Sequence, residues 1–188
     1  KIGRSYSRTQ LNHLSNFIDV SHDEIDDALD IFFLNNCHSY ISSGTGLDHL
    51  AFALNKPMLI NTPTINDYFI ERPNIVYLLR PYFKKVSNSK ISIDEIINNF
   101  NLSFKYKYND FQNKNIFVAE NEDDEILKAF KDLEYLINNN FENSEKNKKI
   151  SDKFWDLFLQ AKKKHVKDYD YYKNKKILTH YSWSNINY

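Results

Sequence analysis

The stretch from His38 to Asn61 constrains this chain more than any other. Tyr40-Ile41-Ser42 is a short β-prone run, and Ser43-Gly44-Thr45-Gly46 is a turn. Leu47, Leu50, Ala51 and Leu54 then recur at helical spacing on one face. Asn55 suits a left-handed helix stop, and Pro57 keeps the helix from resuming. Met58-Leu59-Ile60 is an apolar run short enough for a buried strand. The expected unit is strand, glycine turn, short helix, strand. The chain has three glycines, and two of them are Gly44 and Gly46. Glycine there permits a positive φ and the close approach of a ligand. The first N–H groups of the following helix, with its dipole, favour an anion. One reading is therefore a phosphate-bearing ligand over Ser43, Gly44, Thr45, Gly46 and Leu47, with Ser42 at the strand end. The other is a tight connection with no ligand. The position favours the ligand, because open α/β sheets take ligands at the carboxyl ends of their strands.

The rest of the chain extends this pattern. Lys1-Ile2-Gly3-Arg4 reads as the tail of a strand already under way, with Arg4 in the loop leaving it. Its guanidinium suits phosphate oxygens. Phe17 to Val20 is a second expected strand. Ser21 and Glu24 form a capping box for a helix running to Asn35-Asn36. Beyond Ile60, Asn61 and Thr62 leave a strand on the same edge as the glycine turn and are further ligand candidates. Ile75 to Leu79 is an expected strand ended by Arg80-Pro81. Ser92 and Glu95 form another capping box, opening a helix to about Phe100. The tract 101–115 reads as a loop or lid. Ile116-Phe117-Val118 is the last expected strand, leading through Glu120 to a helix capped by Asn121. Glu120 either contacts a sugar or ribose hydroxyl or is solvated. Ile126, Ala129, Phe130, Leu133 and Leu136-Ile137 give that helix its apolar face. Residues 138–149 read as a polar linker, and Ser151 as the start of a final helix carrying Phe154, Trp155, Phe158 and Leu159. Those aromatics either pack on their own domain, wait for a surface supplied by an upstream domain, or lie on a membrane.

Strands alternating with helices at this spacing imply a doubly wound, mostly parallel α/β sheet, Rossmann-like, over 1–140, with a helical extension over 141–188. The formal net charge of +0 argues against a nucleic-acid partner held by bulk charge. A lone cysteine, Cys37, leaves no internal disulfide framework and fits a reducing compartment. It is expected near a helix end as a small apolar residue. No run approaches the ~20 apolar residues of a membrane span, so a cytoplasmic location, with the inner membrane face less favoured, is the expectation. No metal-ligating pair stands out. Asp168 and Asp170 lie in a polar tail and read as solvated. Asp48, in the first helical turn after the glycines, is expected to face a sugar hydroxyl or solvent, and His49 to be a partly exposed helix residue.

Asp30-Ile31-Phe32, the run Ser42-Ser43-Gly44-Thr45-Gly46-Leu47, Lys56-Pro57 and Asn61-Thr62-Pro63 together resemble a bacterial glycosyltransferase family known mainly from its sequences. Ser92 to Ile96, Glu120-Asn121 with Glu125-Ile126, and Phe154-Trp155 extend the resemblance along nearly the whole chain. It implies the carboxyl-terminal, nucleotide-sugar-binding half of an enzyme of GT-B architecture. The donor diphosphate would lie over the glycine turn, where N–H groups stabilise charge growing on the leaving group without a metal. No cofactor is implied beyond the donor substrate. A glycan or lipid-linked acceptor and the catalytic base would come from an amino-terminal domain, so this stretch alone is not expected to transfer sugar. The resemblance extends locally to nucleotide-sugar 2-epimerases, where an acidic residue such as Asp48 follows the turn. A non-catalytic nucleotide-sugar-binding module is the third reading.

Overall fold

The computed structural model describes residues 15–16, 27–61, 72–99, 111, 113–142 and 144–165. The expected strand at Phe17 to Val20, the box at Ser21 and most of the tract 101–115 lie outside them, as do Arg4, Thr62, Asp168 and Asp170. The elements are α1 (Asp27–Asn36), β1 (Tyr40–Ser42), α2 (Leu47–Ala53), β2 (Met58–Ile60), β3 (Ile75–Tyr77), β4 (Tyr82–Lys84), β5 (Lys90–Ile91), α3 (Ile93–Asn99), β6 (Ile116–Val118), α4 (Asp123–Asn138) and α5 (Glu145–His165). The chain forms two compact units, one of Lys1–Tyr40 with Gly46–Lys56, the other of Ile41–Thr45 with Pro57–Tyr188.

In the first unit, α1 and α2 are joined at their ends by Lys56. Its Nζ donates to the carbonyls of Asn35, at 2.6 Å, and Cys37, at 3.2 Å. A cation on the last carbonyls of a helix is favourably placed against its dipole. Cys37 follows α1 directly, and its thiol donates to the Leu34 carbonyl at 3.2 Å. Partial burial pushes that thiol above its usual range, and the charge of Lys56 pulls the other way. Asn55 stops α2 at φ 53°, the left-handed stop expected from its sequence. Its neighbour Lys56 donates its N–H back to the Ala51 carbonyl at 3.0 Å.

The second unit contains two three-stranded sheets, ordered β1-β2-β3 and β5-β4-β6. In the first, β2 and β3 run parallel, with Leu59 opposite Val76. Every residue of both strands is buried, as a parallel sheet covered on both faces requires. Leu59, Val76 and Leu78 pack against Ala129, Leu133 and Leu136 of α4, with Ile126, Phe130 and Ile137 at the margin. The 3.6-residue spacing of α4 has met the two-residue spacing of the sheet. Each large apolar side chain buried there contributes about 1.5–3 kcal/mol.

The second sheet departs from expectation. Both pairings of β4, with β5 and with β6, are antiparallel. Ile116-Phe117-Val118 is thus a strand, as expected, but it does not extend the parallel sheet. The chain is mixed α/β, with a small parallel sheet and an antiparallel one. Tyr82-Phe83-Lys84, which follows the Arg80-Pro81 end of the expected strand, is the central strand of the second sheet. The hairpin it makes with β5 turns through Asn88 at φ 51°. Phe83 and Phe117 stack across the β4–β6 pair, centroids 5.4 Å apart.

Two helix starts also differ. Ser151 does not open α5; it is a buried residue inside it. The cap is Ser144, whose hydroxyl accepts the Asn147 N–H at 3.3 Å, so the polar linker is much shorter than residues 138–149. Phe154, Trp155 and Phe158 are buried, with Trp155 edge-on to both phenylalanines. Their burial fits the reading in which they pack on their own domain. At α3, by contrast, Ser92 caps as expected, accepting the Glu95 N–H at 3.1 Å.

Candidate functional site

The candidate site lies at the carboxyl edge of the parallel sheet in the second unit. β1 ends at Ser42, which is buried. Its hydroxyl accepts the Gly44 N–H at 2.9 Å. Ser42 therefore shapes the turn from inside, and the Gly44 N–H is already used. Gly44 sits at φ 80°, in the region that side chains rarely occupy. Ser43, Gly44 and Thr45 are exposed.

The chain then enters the first unit at Gly46, the N-cap of α2, with φ −58° and ψ −26°. That is ordinary right-handed backbone, and a Cβ built there would meet nothing within 4 Å. Neither conformation nor packing asks for glycine at this position. Leu47 is half-buried and His49 exposed against Phe52, ring centroids 6.3 Å apart. Asp48, expected to face a sugar hydroxyl or solvent, is buried at 7% exposure, which rules out the solvent alternative.

Three further strand ends meet the edge. The Asn61 N–H, just past β2, donates to the Ser42 carbonyl at 3.1 Å, and the Leu78 N–H donates to the Ile60 carbonyl at 2.9 Å. Asn121 completes this ladder. Its Nδ2 donates to the carbonyls of Asn61, at 2.6 Å, and Leu78, at 3.3 Å. Asn121 was expected to cap α4. Instead Glu122 is the cap, with Glu125 three residues on, and the two side chains and backbones bond reciprocally. This closes the amino end of α4 with its own carboxylates, leaving Asn121 to tie the sheet edge to the helix. The Oδ1 of Asn61 is buried and takes no hydrogen bond from a described residue. A buried acceptor left over in this way calls for an explanation.

Glu120, expected at a ligand hydroxyl or in solvent, is largely exposed and forms an ion pair with Arg80. The Nε of Arg80 also donates to the Ala119 carbonyl at 3.1 Å. In the sequence Arg80 marks only the end of a strand; its place just beyond β3, on the same edge as Asn61, is the signal that points to it. Among the described residues no group of three or more His, Cys, Asp or Glu side chains is placed to hold a metal ion. No helix among them is long and apolar enough to cross a membrane.

Compared with protein-family models, with curated proteins and with solved structures, the chain finds no match in any of the three.

Proposed function

We propose that this chain is the donor-binding half of a metal-independent glycosyltransferase of GT-B architecture, its sheet an abbreviated Rossmann-like one. It would carry sugar from a nucleotide sugar to a glycan or surface-polysaccharide acceptor. The observation that carries this reading is the exposed turn Ser43-Gly44-Thr45 at the carboxyl end of a parallel strand, with Gly44 at φ 80°. Such turns at strand ends are where open α/β sheets bind ligands. The donor diphosphate lies against the exposed face of this turn; with the Gly44 N–H held by Ser42, the turn's other N–H groups would stabilise the leaving group as charge grows on it. Asn61 Oδ1 is the acceptor for a ligand hydroxyl or base N–H.

The test is calorimetric titration of the chain with UDP, ADP, GDP, CDP and dTDP, against the Gly46→Val variant. One of the five should bind, and Gly46→Val should abolish that binding with little loss of helical circular dichroism. Equal affinity in the variant would sink the diphosphate site. Turnover of a nucleotide sugar with no acceptor present would instead favour an epimerase.

A further inference from the structure

Arg80 and Glu120 are unequal partners. The arginine side chain is 25% exposed and the glutamate side chain 77%. The guanidinium is further fixed by its Nε bond to the Ala119 carbonyl. If the pair opens, the carboxylate swings away and the guanidinium stays. Arginine presents five N–H donors in a planar fork, and the contacts with Ala119 and Glu120 engage its Nε and one terminal nitrogen. The rest of the fork is unused by any described residue.

The fork's location matters as much as its geometry. Arg80 stands two residues beyond Leu78, the residue whose carbonyl Asn121 grips together with that of Asn61. Asn61 in turn is bonded to Ser42, where the glycine turn begins. Strands in a sheet stand about 4.8 Å apart, so the turn after β1 and the chain leaving β3 are roughly 10 Å apart across β2. One nucleotide sugar bridges that span. The neighbouring cations Lys84 and Lys90 are engaged elsewhere, with Glu95 at 2.8 Å and Glu125 at 3.8 Å. The start of α4 is acidic, and its Glu122 and Glu125 are committed to the helix cap. Among the described residues, Arg80 is the cation this edge offers to an anion.

We propose that Arg80 binds the phosphate of the donor and that Glu120 is the stand-in anion which that phosphate displaces. The inference rests on the donor-binding reading above and deepens it. Exchange of one anion for another on a fixed guanidinium keeps the partly buried cation neutralised in both states, which lowers the cost of leaving it unpaired. A phosphate also uses the fork in a bidentate way that one carboxylate oxygen does not.

The experiment titrates the wild type, Arg80→Gln, Arg80→Lys and Glu120→Gln with the same five nucleoside diphosphates and with inorganic pyrophosphate. Thermal melts check that each variant is folded. Arg80→Gln should weaken nucleoside-diphosphate binding at least tenfold, and Arg80→Lys should recover part of it. Glu120→Gln should tighten binding severalfold, a result a purely structural ion pair would not give. Binding by the wild type that Arg80→Gln leaves within twofold would overturn the inference and spare the donor-binding reading. Pyrophosphate binding that depends on Arg80, with no nucleoside diphosphate bound, would keep Arg80 as an anion site and overturn the donor-binding reading. No binding of any probe would overturn both.

Discussion

Asn121 joins three chain segments with one amide group. Removing it by Asn121→Ala leaves the carbonyls of Asn61 and Leu78 short of a donor in a partly buried place. The expected cost is about 1–3 kcal/mol, read as a lower urea midpoint at unchanged slope. A change under about 0.5 kcal/mol would mean that water replaces the amide. The same residue marks a limit of the sequence. Asn is among the best caps, and Asn121 stands just before a periodic helix, so a cap was the natural reading. One position on, Glu122 has Glu125 at the third helical residue, and the reciprocal pair wins. At the glycine pair the sequence was more legible, but it could not tell the two apart. Gly44 needs its positive φ, so Gly44→Ala should cost about 1–2 kcal/mol. Gly46→Ala should stay within about 0.5 kcal/mol, because its backbone is ordinary and the space beside it open. Matching denaturant curves for the two variants would refute the distinction. Cys37 offers a check by chemistry. Burial holds its thiol protonated beyond the usual range, so alkylation at neutral pH should be slower than that of a free thiol and accelerate only as pH rises.

Among the elements, those with one strong period were readable. The apolar positions of α4 are the ones that reach the sheet. The β2 and β3 runs, apolar throughout, are the strands buried on both faces. Pro81 and the lysines after it read as the end of a strand, which hides the β4–β5 hairpin in the sequence. The aromatic pair Tyr82-Phe83, followed by Ser87-Asn88-Ser89 and then Lys90-Ile91, was a hairpin signal in its own right. Once β4 is a strand, Phe117 finds a stacking partner in Phe83, and β6 is drawn away from the parallel sheet. Ser151 precedes the aromatic run and so reads as the start of α5, whereas the polar stretch before it is helical too. Phe158 lies fully buried. Phe158→Ala should cost about 3–5 kcal/mol, seen as a fall in melting temperature. If instead the melt is unchanged and apolar dye binding is already high in the wild type, these aromatics are not packed on their own unit.

For the whole molecule, alternating strands and helices conveyed an α/β chain but not the division of its strands into two sheets. Length of run decides burial, while partner and direction depend on contacts distant in sequence, and no local pattern encodes those. The distance along the chain also has a kinetic side. Tyr82 and Ile91, nine positions apart, pair in the β4–β5 hairpin. Asn121 reaches Asn61 across 60 positions. Closing the longer loop costs roughly 1.7 kcal/mol more in chain entropy, by logarithmic scaling with loop length. The hairpin should therefore order early and the Asn121 clasp late. A clasp absent from the transition state affects unfolding rather than folding. Asn121→Ala should leave the refolding rate within twofold and speed unfolding by about tenfold for each 1.4 kcal/mol lost, as measured by stopped-flow fluorescence. Slowed refolding with unchanged unfolding would put the clasp in the nucleus. On the expected outcome, the edge that offers itself to a ligand is the part of its unit that assembles last and opens first.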